Sequence, residues 1–146
     1  MTKIMFSKEE SKQIREEFWT SFGKSFPRKW ILYDTKIKGL AFKFHFDTKC
    51  ALVALDIEDD LENRINYWEK LQSLKSILQD DHLPEAIFED VFYLENGKEI
   101  SRVYVPLDQK VSIHNKNTWR DTMEFFNETM SKFEDFFEQY QYVIKG

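Results

Sequence analysis

The amino-acid sequence predicts a single α+β domain over residues 1–146, with one mainly antiparallel or mixed sheet packed by helices. Three observations lead to this fold class. Apolar residues recur at helical spacing near both ends of the chain, they alternate or run continuously in short segments between, and no stretch resembles an interdomain linker or a repeat. The length of 146 residues is that of one domain. The predicted order is α-β-β-β-α-β-β-α.

The first helix is predicted to begin at a capping box, Ser7 to Glu10. Its apolar side chains fall within an arc of about 140° at about 100° per residue; they are Ile14, Phe18, Trp19, Phe22 and Phe26. Arg15 projects into the same arc. We interpret Arg15 as packing its stem on Trp19 while its guanidinium pairs with a buried carboxylate, and we favour this role over ligand binding.

Three strands are predicted next. Trp30 to Tyr33 has the composition of a short strand, and the alternation of Phe42, Phe44 and Phe46 with polar residues predicts a second. Residues 51–58 form a nearly continuous apolar run, which is expected at the centre of the sheet and covered on both faces over most of its length.

The second half of the sequence predicts a helix, then a β-hairpin, then a final helix. Asp59-Asp60 caps an amphipathic helix with apolar positions at Leu61, Ile65, Trp68, Leu71, Leu74 and Leu78. Asn96-Gly97 predicts a tight turn with two positive φ angles between strands at 88–95 and 100–106. From Trp119 the spacing predicts a final helix of about 24 residues.

The composition indicates a protein that binds a partner rather than one that catalyses a reaction. The chain holds 14 Phe, 6 Tyr and 4 Trp, so some rings are expected to lie exposed, and we predict a homodimer or a protein partner bound through aromatics of the last helix. The single Cys50, the start at Met1 without a secretory signal and the lack of a long apolar run predict a cytoplasmic protein without membrane contact.

No catalytic residue, metal site or cofactor is predicted. The four glycines form no phosphate-binding loop. The single cysteine and the three histidines lack the spacing of zinc ligands, and no serine lies in a nucleophile elbow.

One pair of carboxylates is the exception. Asp56 and Glu58 lie two apart at the end of a strand and therefore share a face, as magnesium ligands would. The order helix, three strands, helix, strand is also that of restriction-endonuclease-like nucleases. Those proteins follow the acid with a Glu/Asp-x-Lys step, whereas Glu58 stands where the lysine belongs. We favour a polar strand exit and a helix cap.

The first third of the chain is basic and aromatic. Residues 1–50 hold 11 Lys/Arg against 6 Asp/Glu, whereas residues 51–146 hold 10 against 20. Basic residues among aromatics can bind single-stranded nucleic acid through phosphates and stacking. Arg15, Trp19, Arg28 and Lys29 are the candidate binding residues in this part. Nucleic acid is the less favoured partner, because the charges are scattered and the whole chain is acidic.

The chain resembles the bacterial domain-of-unknown-function family catalogued under number 4268. The resemblance runs through Arg15 to Trp19, the strand Cys50–Glu58, Asn63 to Lys75 and Ser101 to Val105, and on into the helix at Trp119. It implies a bacterial accessory or binding module, found alone or at the C-terminal end of longer proteins with nuclease-like regions, and it carries no established reaction. The sequence therefore favours a non-catalytic accessory or protein-interaction domain. A degenerate nuclease-like or nucleic-acid-associated domain is the alternative.

Overall fold

The structure, a computed structural model, describes residues 6–146. Residues 1–5, which carry most of the prediction about a secretory signal, lie outside this range. The described elements, in chain order, are α1 Lys8–Ser25, β1 Leu40–Phe46, β2 Ala51–Ile57, α2 Leu61–Ser73, α3 Lys75–Asp81, β3 Ile87–Tyr93, β4 Glu99–Pro106, a 3₁₀ helix Lys116–Thr118 and α4 Trp119–Lys145. Within this part of the chain no helix is both long enough and apolar enough to cross a membrane.

The four strands form one antiparallel sheet in the order β1-β2-β4-β3. All seven residues of β2 are buried, which confirms its predicted central place. The class is α+β, as the sequence predicts. β3 and β1 are the edge strands, and β3 is mostly exposed.

The helices pack against one face of the sheet, which we call the packed face. Phe42 of β1 contacts Phe133 and Phe137 of α4, and Phe46 contacts Phe18 of α1. Phe126 lies fully buried at the centre of the resulting aromatic cluster. The aromatic side chains of the protein therefore pack largely in this core.

The strand predicted at Trp30 to Tyr33 is absent, and this part of the prediction is wrong. Leu32 has a φ of 46°, in the left-handed region, which ends any extended run. The N–H of Ile31 donates to the Glu134 carboxylate at 2.7 Å instead of to a neighbouring strand. Only two strands precede α2, so the nuclease-like order of three strands, helix and strand is not formed.

The amphipathic helix predicted after Asp60 is two helices. The helix is interrupted at Leu74, whose φ of −99° and ψ of 2° depart from helical geometry. Leu61 and Ile65, predicted on the buried face, are 60% and 48% exposed. The buried face starts instead at Arg64 and Trp68, where Arg64 donates to the Glu99 carboxylate at 2.7 Å. The prediction treated every apolar residue as buried, although apolar residues also occur on surfaces.

The start of helix α1 and the β3–β4 hairpin are two features predicted from local sequence. The predicted capping box is present, since Ser7 and Glu10 bond each other's backbone N–H groups. The β3–β4 hairpin forms as predicted, but its loop is longer than a two-residue turn. Among the described residues of that loop only Gly97 has a positive φ, of 86°, after a turn closed by Gly97 N–H and the Leu94 carbonyl.

Candidate binding surfaces on the sheet

The second face of the sheet, which we call the open face, follows from the strand register. Alternate residues of a strand point to opposite faces, so Lys43 and His45 lie opposite the packed Phe42. The register pairs Asp56 with Arg102 across β2 and β4. Asp56 and Arg102 are nevertheless buried; Lys43 lies against Asp56, and the Phe92 ring lies against Arg102.

Asp56 is the centre of an ion network that consists of Lys43, Asp56, Glu58, Lys98 and Arg102. Arg102 Nε and Nη2 donate to the two Asp56 oxygens at 2.7 and 2.8 Å, a bidentate pair. Lys43 Nζ lies 3.2 Å from Asp56 Oδ2 and 3.8 Å from Glu58 Oε1. Lys98 Nζ approaches the other Glu58 oxygen at 3.3 Å.

The network places Asp56 and Glu58 on one face, as the sequence predicts. It also supplies the lysine that the local pattern lacks, because Lys43 arrives from β1 across the sheet. A hollow of about 190 Å³ adjoins both carboxylates and Lys43. Both oxygens of Asp56 are already held by Arg102, so a magnesium ion would have to displace a buried guanidinium. The arrangement is that of a structural ion pair.

The aromatic ring of Phe92 completes the environment of Arg102. The guanidinium carbon lies 4.3 Å from the centre of that ring. Close by, the hydroxyl of Tyr104 donates to the Glu89 carboxylate. Burial, and then this bond to Glu89, raise the pKa of Tyr104 to about 12.

The basic and aromatic candidates of the first third do not come together. Arg15 is exposed on α1 and, within residues 6–146, makes no ion pair, so the predicted bond to a buried carboxylate is wrong for the described residues. Lys29 is exposed as well. Trp19 is half-buried and stacks on Phe126 with 5.8 Å between ring centres. Trp19 thus packs against the hydrophobic core.

Arg28 makes the buried-carboxylate contact that was predicted for Arg15. Its Nη2 donates to Glu134 Oε1 at 2.7 Å, and its guanidinium lies 4.5 Å from the centre of the Trp30 ring. Glu134 is 2% exposed and also accepts the N–H of Ile31. Arg28 therefore fixes the segment before β1 to α4. This contact joins residues 106 apart in sequence, and no local signal reveals it.

A groove of about 420 Å³ crosses the open face between β1 and the tip of the β3–β4 hairpin. Its lining comes from strands and their loops and consists of Lys43, His45, Cys50, Leu52, Phe92, Tyr93, Leu94, Glu95 and Arg102. Burial, and then the nearby Asp47 carboxylate, raise the pKa of the Cys50 thiol. Cys50 is half-buried beside this groove.

The two edges of the sheet differ. The outer edge of β1 is occupied where Phe42 N–H donates to the Leu32 carbonyl at 2.9 Å. In the part of the chain that the structure describes, no backbone group bonds to the outer edge of β3. Ile87, Val91 and Tyr93 of β3 are 39%, 47% and 64% exposed. An open edge with exposed apolar side chains is a template for pairing with another chain.

The acidic character of this edge is uniform. Glu89 and Asp90 lie within β3, and Glu85 and Glu95 flank it. No lysine or arginine occurs from residue 84 to residue 97. We call the outer edge of β3 with these side chains the β3 edge.

A family model described as a domain of unknown function, DUF4268, matches residues 14–141. The chain belongs to the DUF4268 family. The match spans α1 through most of α4 and confirms the resemblance drawn from the residues. Comparison with curated proteins found no match, and comparison with solved structures found none either.

Proposed function

We propose that this DUF4268 domain is a non-catalytic protein-interaction domain that binds an extended, basic segment of a partner along the β3 edge. The outer side of the β3 backbone, to which no described backbone group bonds, carries the proposal. A register irregularity between Glu89 and Phe92 divides this edge into two short stretches. A peptide added to a sheet edge gains main-chain hydrogen bonds, while its alternate side chains contact those of the edge strand. Ile87, Val91 and Tyr93 supply apolar contact for such side chains.

Charge selects the kind of partner. The acidic residues within and beside β3 favour lysine and arginine on the added strand. Self-pairing of two β3 strands about a two-fold axis would instead bring Glu89 and Asp90 close to their own copies. Like charges directly opposite each other destabilise a sheet. A basic heterologous segment therefore fits the β3 edge better than a second copy does.

The dimer surface suggested by the sequence has less support. Four aromatic residues of α4 are buried in the core: Phe126, Phe133, Phe136 and Phe137. Among the aromatics of this helix Tyr142 alone is mostly exposed, at 67%. The bacterial and cytoplasmic setting, and a homodimer, remain predictions. Nucleic acid gains no support from the basic first third, since Arg28, Lys36 and Lys43 are already paired with carboxylates.

Peptide titration of the isotope-labelled protein tests the proposal. An octapeptide that alternates lysine and valine should shift the amide signals of residues 87–93, and raised salt should weaken the effect. A glutamate–valine counterpart should shift none of them. The Val91→Lys variant should lose the response, whereas Tyr142→Lys, an apolar-to-lysine change on α4, should keep it. Equal responses to both peptides, or shifts centred elsewhere, would contradict the proposal.

A further inference from the structure

The β1–β2 hairpin brings three different metal-ligating side chains to one place. His45 and Asp47 are two residues apart and therefore point to the same face. Asp47 N–H donates to the Cys50 carbonyl at 3.0 Å, which makes these two residues the cross-strand pair that closes the hairpin. Their side chains thus share a face as well. The register, rather than a sequence motif, assembles the group.

The distances within this hairpin donor cluster are short. One donor atom from each of His45, Asp47 and Cys50 lies within 4.8 Å of the other two. His45 Nε2 is 2.8 Å from Asp47 Oδ2. The other oxygen, Oδ1, accepts the N–H groups of Lys49 and Cys50, so the carboxylate is held with Oδ2 towards the histidine. All three side chains are half-buried.

The donor set has a chemical preference. Imidazole nitrogen, carboxylate oxygen and thiolate sulfur together are ligands of Zn²⁺, which binds at about 2.0–2.3 Å from such atoms. Hard cations such as Mg²⁺ and Ca²⁺ favour oxygen ligands and gain little from sulfur. Three protein ligands leave one position of a tetrahedral ion for an outside ligand.

We propose that His45, Asp47 and Cys50 form a binding site for a divalent transition-metal ion, of which Zn²⁺ is the best match. Binding of the ion releases the thiol proton of Cys50 to the solvent, and the ion draws the thiolate, the imidazole and the carboxylate together. His45 and Cys50 also line the groove on the open face. The fourth ligand, water or an anionic group, reaches the ion from that groove. This proposal is independent of the β3 edge.

No metal site is predicted from the sequence because the cysteine and the three histidines are treated as lying far apart, although His45 and Cys50 are only five residues apart. The spacing of His45, Asp47 and Cys50 has meaning only once a tight hairpin is known to lie between β1 and β2.

Cobalt titration of the full chain tests the site directly. Protein freed of metal with a chelator is titrated with Co²⁺ while the thiolate-to-cobalt charge-transfer band and the visible bands are recorded. We expect saturation at one equivalent, a thiolate band, and displacement by Zn²⁺. Cys50→Ser should abolish the thiolate band. His45→Asn and Asp47→Asn should each weaken binding by at least about 10- to 100-fold, the loss that even outer-shell substitutions cause.

Two controls distinguish loss of the metal site from a general effect of substitution on folding or metal binding. His82→Asn changes a histidine outside the cluster and should leave the titration unchanged. Circular dichroism and thermal unfolding of the metal-free variants show whether each still folds, and Cys50→Ser changes the side chain least. A wild-type titration without a thiolate band would overturn the proposal. The proposal would also be overturned if folded Cys50→Ser and His45→Asn bound Co²⁺ as strongly as the wild type does.

Discussion

Replacement of Arg102 by methionine tests the ion network of the open face. Methionine keeps most of the aliphatic stem but removes the guanidinium that holds both Asp56 oxygens. The side chains of Asp56 and Arg102 are 1% and 9% exposed, so water cannot replace the lost partner without local opening. The substitution leaves a buried carboxylate that is only partly compensated.

The expected loss of stability follows from this geometry. Removal of one partner of a buried pair typically costs about 3–5 kcal/mol. Lys43 remains 3.2 Å from Asp56 and retains part of the compensation, which places the expected loss near the lower limit, about 3 kcal/mol. For a chain of this length that corresponds to a fall in Tm of about 6–12 °C.

Urea unfolding followed by tryptophan fluorescence measures the change. Arg120→Met is the matched control, because Arg120 is 89% exposed and, among residues 6–146, pairs with Glu124 alone; it should cost about 0.3–0.5 kcal/mol. The double substitution Asp56→Leu with Arg102→Met removes both buried charges and should return to within about 1 kcal/mol of the wild type. A loss below about 1 kcal/mol for Arg102→Met alone would refute the reasoning.

Three further substitutions probe single features. Tyr104, with a folded pKa of about 12 against about 10 when unfolded, contributes stability that is full below pH about 10 and lost as pH rises through about 12; ultraviolet titration of tyrosinate should show this, and Glu89→Gln should lower the pKa. Gly39→Ala meets a φ of 84° and would place Cβ 2.7 Å from Asp59 Oδ2, so unfolding should show a loss of about 1–3 kcal/mol. Phe126→Ala empties the centre of the aromatic cluster and should cost about 3–5 kcal/mol in urea unfolding. Losses within about 0.5 kcal/mol at either position, or an unshifted Tyr104, would contradict these expectations.

Local patterns predicted most of the fold. The cap at Ser7, the alternation in β1, the apolar run of β2 and the Asn-Gly hairpin are each decided by residues close in sequence. The prediction of a strand at Trp30 to Tyr33 was wrong because the conformation of this segment depends on a distant residue. Glu134 takes the N–H that a strand would need, and composition alone cannot reveal such a partner.

The candidate sites depend more on register than on motifs. Asp56 within an apolar strand is a visible signal, since a buried carboxylate requires a partner. Its partners, Lys43 and Arg102, are neighbours only across two strand pairs. The open state of the β3 edge likewise depends on strand order, which places β3 beside β4 alone. The sequence contains these residues but not the pairing that joins them.

Hydrogen exchange of the β3 amides tests the central claim most directly. Strand addition requires that the outward-facing N–H groups of residues 87–93 bond to the added peptide. With saturating lysine–valine peptide, the outward-facing amides on either side of the irregularity between Glu89 and Phe92 should exchange more slowly, while those of the opposite edge strand, residues 40–46, should be unchanged. Unchanged exchange along β3 under saturation, or equal protection at both edges, would contradict the proposed mode of binding.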